Sequence, residues 1–425
     1  MRAILSEIQL RNTGLMGLLR VVGLASVLVL AALPRLAVAG SVNLPSYPLA
    51  VKSPYLSTWV PGNQIGDAPT AQPEFWAGQD ITWSILARVN GVTYTLFGVP
   101  GGISNTTAAT TGAVTYTSSH TLIHVTAGGV NFVLDFFSPV LPGTRDYARQ
   151  SLPYSYLTVT ATGTGLKLAH VQILSAIDQT WTAQNGAANL NYTTSGTAGL
   201  FWFYNPDQIP FTERSDMASY GSVIFAAANG AGVTHACDTP VNVYESFISK
   251  GALTASAECT GADLAALSKD LGYVDEIIPR SGVFAVGFDR EQSINYLGNT
   301  QTGYYRSKWP SVPEAVEYFL GDYVDVLATA AIFDAEVRVR SEAVSSKFGS
   351  QYADIVEASV RQTFGAIDIT VCEQVALSTL FFLQNSRSLP TISRPRLQFF
   401  SKKSRAMVML IPSISYTNPG RSLSA

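Results

Sequence analysis

The densest concentration of residues able to do chemistry runs from Phe288 to Asp322. It contains Asp289-Arg290-Glu291, then Gly303-Tyr304-Tyr305-Arg306, then Lys308-Trp309. Arg290 or Arg306 is suited to grip a carboxylate through two parallel hydrogen bonds. Asp289 or Glu291 is suited to act as a general base or to bind an α-amino group. With Tyr305 beside them, Asp289, Arg290, Glu291, Tyr305 and Arg306 are the candidates for holding a small-molecule substrate. No residue among them is singled out as the nucleophile. A salt-bridge network inside a structural linker is the competing reading of the same residues, and both stay open.

Other chemistries find less support. There is no Gly-rich phosphate loop, no H-E-x-x-H and no zinc-type cysteine pair. No Gly-x-Ser-x-Gly elbow appears, although a Ser-His-Asp triad assembled in space needs no motif. The histidines are His120, His124, His170 and His235. His120 and His124 share one face of an expected strand, but at about 3.3 Å per residue they stand too far apart to chelate one metal readily. No metal and no cofactor is expected. Cys237 and Cys259 enclose a loop short enough for a disulfide worth about 3 kcal/mol, and Cys372 is then left over. Asn105-Thr106-Thr107 and Asn191-Tyr192-Thr193 are N-glycosylation sequons.

These groups need elements to position them. Residues 41–79 form an aromatic, proline-punctuated arm with Tyr47, Tyr55, Trp59, Phe75 and Trp76. Its prolines favour extended chain, and its rings must lie on another surface. Packing is the first reading of those rings; binding of a sugar or a substrate ring is the second. Residues 80–290 read as a β-domain. Asn90-Gly91 predicts a two-residue type I′ hairpin pairing Val89 with Val92, Ala87 with Tyr94 and Ile85 with Leu96. A second hairpin is expected around Gly128-Gly129, joining 121–125 to 130–136. Further strands are expected at 156–161, 166–174, 200–204, 222–226 and 282–288, with one helical insertion at 262–271. Many short strands without alternating helices suggest a sandwich.

After Pro310 the period changes. Ser311 and Glu314 form a capping box, and Val316, Phe319, Leu320, Tyr323, Val324, Leu327, Ala330 and Ala331 follow at helical spacing. Gly321 is a break point. A further helix carries Tyr352, Ile355, Val356, Val360 and Phe364 on one face and is closed by Gly365.

The N-terminus carries an export pattern. Arg2, Arg11 and Arg20 precede an apolar run from Val21 to Leu33, and Ala37-Val38-Ala39 is a small-residue cleavage site. Residues 1–39 are therefore expected to be a signal peptide, and Met16 starts a tidier one of its own. The run of 13 residues is too short to span a bilayer, which needs about 20. A secreted, extracellular protein with no membrane partner after cleavage is expected. Gly40 to Asn385 holds 16 Lys+Arg against 29 Asp+Glu, whereas Ser386 to Ala425 holds 7 Lys+Arg and no acid. An acidic body disfavours nucleic acid as a partner.

Several stretches resemble the fungal secreted glutaminase A family. They are residues 46–59 (SYPLAVKSPYLSTW), 73–79 (PEFWAGQ), 289–298 (DREQSINYLG) and 361–366 (RQTFGA), in the family's order. The resemblance covers roughly residues 44–371. It implies a mainly β protein with C-terminal α structure: a β-sandwich-like region, then an α-helical toroid of the six-hairpin type. It also implies extracellular hydrolysis of the side-chain amide of L-glutamine to glutamate and ammonia. Residues 291–371 would be the start of the toroid. Residues 372–425, a divergent basic tail, depart from the pattern, so the helical domain is expected to be cut short. A shifted reading frame or retained intron accounts for that change; a genuine basic tail competes with it. Three functions follow: an impaired glutaminase, a non-catalytic β-sandwich fragment, or a glycoside-active six-hairpin protein.

Overall fold

In the computed structural model, residues 43–372 are described apart from 143, 166, 184–187 and 257, together with a strand at Gln398–Ser401. The expected signal peptide and most of the basic tail lie outside the described residues. The described chain is mainly β, with its longer helices towards the C-terminal side.

Two large sheets carry the fold. The eight-stranded sheet runs, edge to edge, Asn189–Ser195, Ala198–Tyr204, Ser222–Ala228, Arg280–Asp289, Tyr154–Gly163, Val130–Phe137, His120–Ala127 and Thr110–Tyr116. The six-stranded sheet runs Val233–Asp238, Leu264–Val274, Ala169–Asp178, Trp83–Val89, Val92–Phe97 and Thr107–Ala108. Alternate residues point to opposite faces of a strand, so each sheet contributes one apolar face to a shared core. Ile85, Ala87, Ile173 and Leu267 from one sheet cluster with Leu134, Phe136, Val159 and Phe225 from the other. Trp83 meets Phe136 edge to face with centroids 5.0 Å apart, the geometry that aromatic quadrupoles favour.

The Asn90-Gly91 hairpin forms with both residues at positive φ, 48° and 91°, as a type I′ turn requires. Val89 pairs with Val92 and Ala87 with Tyr94, but Ile85 faces Phe97 rather than Leu96. A bulge between Ile85 and Leu86 shifts the register by one residue; bulges bend and twist a strand and are invisible to alternation alone. The second hairpin joins His120–Ala127 to Val130–Phe137 through Gly128-Gly129.

The helix expected at 262–271 is instead the strand Leu264–Val274. It lies between Val233–Asp238 and Ala169–Asp178, and Leu264, Ala265, Ala266 and Leu267 are all buried. A strand covered on both faces loses alternation and is hard to tell from a helix by pattern. The helix of this region is Pro240–Lys250. The helices in chain order are α1 (Tyr147–Gln150), α2 (Pro240–Lys250), α3 (Val312–Gly321), α4 (Tyr323–Glu342) and α5 (Gly349–Phe364). Thr239 caps α2 and Pro240 opens it, which suits a first turn. Val243, Tyr244 and Phe247 of α2 cover the outer face of the six-stranded sheet. Cys237 and Cys259 form a disulfide around this helix, with Cα atoms 5.3 Å apart.

The outer face of the eight-stranded sheet is covered by α3 and α4. Tyr154, Tyr156, Leu200 and Ile224 pack there against Val316, Phe319, Leu327 and Ala330. The capping box of Ser311 and Glu314 is formed, and α3 ends at Gly321 with Asp322 between it and α4.

The aromatic arm is itself a sheet. Ser46–Ser53 and Leu56–Pro61 form a hairpin, and Glu74–Phe75 adds a third strand. Tyr47, Leu49, Leu56, Val60 and Phe75 join the main core. Gly365 explains how tightly α5 meets this sheet. Its φ is −71°, so it is no left-handed cap; an added Cβ would lie 2.4 Å from the Val51 carbonyl oxygen.

Lys52 is buried on this hairpin, with Nζ donating to the Gln150 carbonyl. Burial pulls its pKa down to about 7, against the attraction of Asp368. The unfolded chain keeps that proton up to about pH 10.4. Between those values the unfolded state binds more protons, so stability rises with pH and is lost as pH falls through 7. Lys52→Met is therefore expected to gain on the wild type at pH 6 and to lose that gain by pH 10. Urea midpoints at both pH values check this; a pH-independent difference would contradict it.

Candidate functional site

The five candidates divide into two networks. Asp289 ends its strand with its backbone paired to Ser222, and its side chain is buried. Its two oxygens accept hydrogen bonds from the Tyr305 hydroxyl and from Arg306. Tyr305 and Arg306 are brought there by a single 3-10 turn, Tyr304–Ser307. Burial, followed by Asp289, holds the Tyr305 hydroxyl well above its ordinary pKa. Burial works against the Arg306 charge, but Tyr305 and Asp289 outweigh it and raise its pKa. The Arg306 side chain is 16% exposed, and its Nε is buried without a hydrogen-bond partner.

Arg290 turns elsewhere. It pairs with Asp368, donates to the Ser293 carbonyl at 2.6 Å and to the Tyr220 hydroxyl at 3.2 Å, and lies over the Tyr55 ring at 4.4 Å. Glu291 is exposed. Adjacent residues on an extended chain point to opposite sides, so Asp289 and Arg290 do not converge on one ligand.

A second polar cluster lies between α4, α5 and the eight-stranded sheet, and the sequence reading missed it. Arg338 of α4 donates to Asp354 and, at 3.1 Å, to Glu357 of α5. Asp354 is 0% and Glu357 2% exposed. One turn further on, Arg361 is fully buried and donates to the Phe136 carbonyl at 3.2 Å. Asp334 accepts from Thr117 and Ser119 at 2.5 and 2.6 Å. Burial raises the Asp334 pKa, opposed by His120 and the two hydroxyls. His120 in turn pairs with Asp135 at 2.8 Å, which outweighs the opposing effect of burial and raises the imidazole pKa.

This reverses the expected face of α5. Ala353, Asp354, Glu357 and Arg361 point inward, while Tyr352 and Ile355 are 44% and 58% exposed. The inward stripe has helical spacing too. Its signal was present as charges at 354, 357 and 361, but charged residues are almost never fully buried unless paired, and the pairing partner Arg338 sits on another helix.

Beside this cluster is a cavity of about 360 Å³ between the N-terminal sheet and α5, within the range of small-molecule sites. The N-terminal sheet supplies Ser57, Trp59, Glu74 and Phe75, with Trp76 next to them. Trp59 pairs with Glu74 across the sheet, so both share a face. The turn after Phe75 is closed by Gly78 at φ 89°, whose N–H donates to the Phe75 carbonyl at 2.7 Å. Tyr116 and Thr117 come from the main sheet, Ala358 and Gln362 from α5. Thr117 links the cavity to the buried Asp334 beneath it. The Glu74 carboxyl is raised in pKa by burial and then by Asp80. The residues lining the cavity include no lysine and no arginine. Among the described residues there is no cluster of three metal-ligating side chains, and no helix is long and apolar enough to cross a membrane.

The family model described as "Domain of unknown function (DUF5127)" matches residues 119–340. The chain is similar to glutaminase A of Aspergillus oryzae (strain ATCC 42149 / RIB 40), 30% identical over 345 residues, covering 77% of this chain and 49% of that protein. It is also similar to a probable glutaminase of Arthroderma benhamiae (strain ATCC MYA-4681 / CBS 112371), 29% identical over 206 residues, covering 43% of this chain and 23% of that protein. The chain thus spans about half the length of the first of these relatives and less of the second.

Proposed function

This chain belongs to the glutaminase A-like family of fungi that carries the DUF5127 domain, and on that premise we propose a secreted amidohydrolase that converts the side-chain amide of L-glutamine to glutamate and ammonia. The similarity to glutaminase A over 345 residues carries this reading. Arg306 is the group proposed to receive the substrate carboxylate, supported by its partial exposure and its unpartnered Nε. Asp289 and Tyr305 hold that guanidinium in place. Glu291, exposed, is proposed for the α-amino end. Arg290, engaged by Asp368 and Tyr55, acts on the packing of this region.

The two facing sheets are read as a β-sandwich spanning 80–290, and α3 to α5 as the start of a helical toroid over 291–371. The exposure of Ile332, Val339 and Ile355, at 72%, 66% and 58%, supports the toroid. Those are positions that further helices would cover. Export through residues 1–39 and glycans on Asn105 and Asn191, both exposed, belong to the same reading.

Ammonia release from L-glutamine tests it. The 425-residue chain is compared with a form extended by the C-terminal half of glutaminase A. Turnover is expected from the extended form. Arg306→Ala in the extended form is expected to raise KM on the order of tenfold or more, since a charge-assisted hydrogen bond is lost. No ammonia from either form would refute the amidohydrolase.

A further inference from the structure

We propose that the cavity between the N-terminal sheet and α5 is a binding site for an uncharged saccharide, independent of any site for glutamine. Four aromatic side chains line it: Trp59 and Trp76 with exposed ring surface, and Phe75 and Tyr116, which belong to the core and show it only an edge. Phe75 and Trp76 are tilted at 53° to each other with centroids 6.0 Å apart, so they form a corner rather than a stacked pair. The C–H face of a sugar ring is apolar, whereas its rim is a ring of hydroxyls. An aromatic face buries the first, and hydrogen-bonding groups at the edge take the second.

The edge groups are present. Glu74 lines the cavity from the N-terminal sheet and Gln362 from α5, and Ser57 and Thr117 also line it. A carboxylate accepts two or more hydroxyl hydrogen bonds, and a carboxamide both donates and accepts. Ala358, one turn before Gln362 on α5, keeps that wall low and leaves room for a ring.

Charge decides the class of ligand. Glu74 is the charged residue of the lining, and nothing basic accompanies it. An anionic ligand would meet an uncompensated carboxylate in a partly desolvated place, which is unfavourable. An amino acid would leave its own carboxylate unpaired there for the same reason. A neutral, hydroxyl-bearing ring meets neither cost. Access is open, because Trp76 is 40% exposed at the rim.

The test is a titration of the full chain, followed by tryptophan fluorescence and by calorimetry. The probes are neutral gluco-, manno- and galacto-oligosaccharides and N-acetylglucosamine oligomers, with L-glutamine and L-glutamate run separately. Saturable binding of at least one neutral saccharide is expected. Trp76→Ala and Gln362→Ala each weaken it on the order of tenfold with an unchanged melting temperature, since both side chains are solvent-accessible. No saccharide binding, or binding indifferent to both substitutions, overturns the proposal. So does glutamine competing for the same site, a result that would instead favour the cavity as the amide-substrate site. Failure of glutamine hydrolysis with intact saccharide binding would remove the amidohydrolase reading and leave this one standing.

Discussion

Arg338→Ala is expected to destabilise the protein by about 3–5 kcal/mol, the usual cost of removing one partner from a buried ion pair. The side chain serves three carboxylates at once: Glu342, which is partly exposed, and Asp354 and Glu357, both nearly inaccessible to water. Its loss takes a charged partner from both buried carboxylates. The effect carries a pH signature. Burial raises the Glu357 pKa to about 7, against the lowering effect of Arg338. A carboxyl whose folded pKa exceeds its unfolded value of about 4.3 binds its proton more tightly in the folded state. Its contribution is therefore fully present below that unfolded value and is lost as pH rises through 7. Without Arg338 the folded pKa moves up further. The variant should accordingly lose less stability at pH 5 than at pH 8. Denaturant melts of both proteins at the two pH values measure the difference, and an equal loss at both would contradict the burial of Glu357 as an ionised partner.

Asp289→Ala is expected to cost a comparable amount, about 3–5 kcal/mol. It leaves the Arg306 guanidinium and the Tyr305 hydroxyl without their common acceptor in a buried place. Asp289→Asn keeps the shape and one acceptor but not the charge, so it should lose less. The pair of variants separates two roles. If Asp289 only holds the turn Tyr304–Ser307 against the end of its strand, stability falls and the KM for glutamine of an extended, active form is unchanged in the Asn variant. If it positions Arg306 for a substrate carboxylate, the Asn variant raises KM at temperatures where it remains folded. Melting temperature and steady-state ammonia release on the same samples decide between them.

The two clusters differ in how they could be read from the chain. Asp289, Tyr305 and Arg306 stand within one short stretch, and a single strand end followed by a 3-10 turn suffices to join them. Local crowding of ionisable residues marked the place. It could not say that Arg290 leaves the group, because that depends on Asp368 and Tyr55, far away along the chain. In the second cluster Asp334 and Arg338 lie one turn apart on α4, but Thr117 comes from the main sheet and Asp354 and Arg361 from α5. Three separate elements must pack before the charges meet.

Sequence by itself determined the parts governed by local stereochemistry. Asn90-Gly91 has to turn because both positions need positive φ, and Ser311 with Glu314 has to start a helix because the two satisfy each other's backbone donors. Alternating apolar residues placed nine of the fourteen strands of the two large sheets, since a pleated backbone shows its two faces at period two. The stretches shared with glutaminase A placed the family. Tertiary structure decided the rest. It made Leu264–Val274 a strand, because cover on both faces removes the alternation that would have marked it. It turned the charged face of α5 inward, because Arg338 on a neighbouring helix compensates a stripe that would otherwise face water. It also gathered Trp59, Glu74, Tyr116 and Gln362 around one cavity. A cavity is the space between elements, and no single element's pattern encodes it.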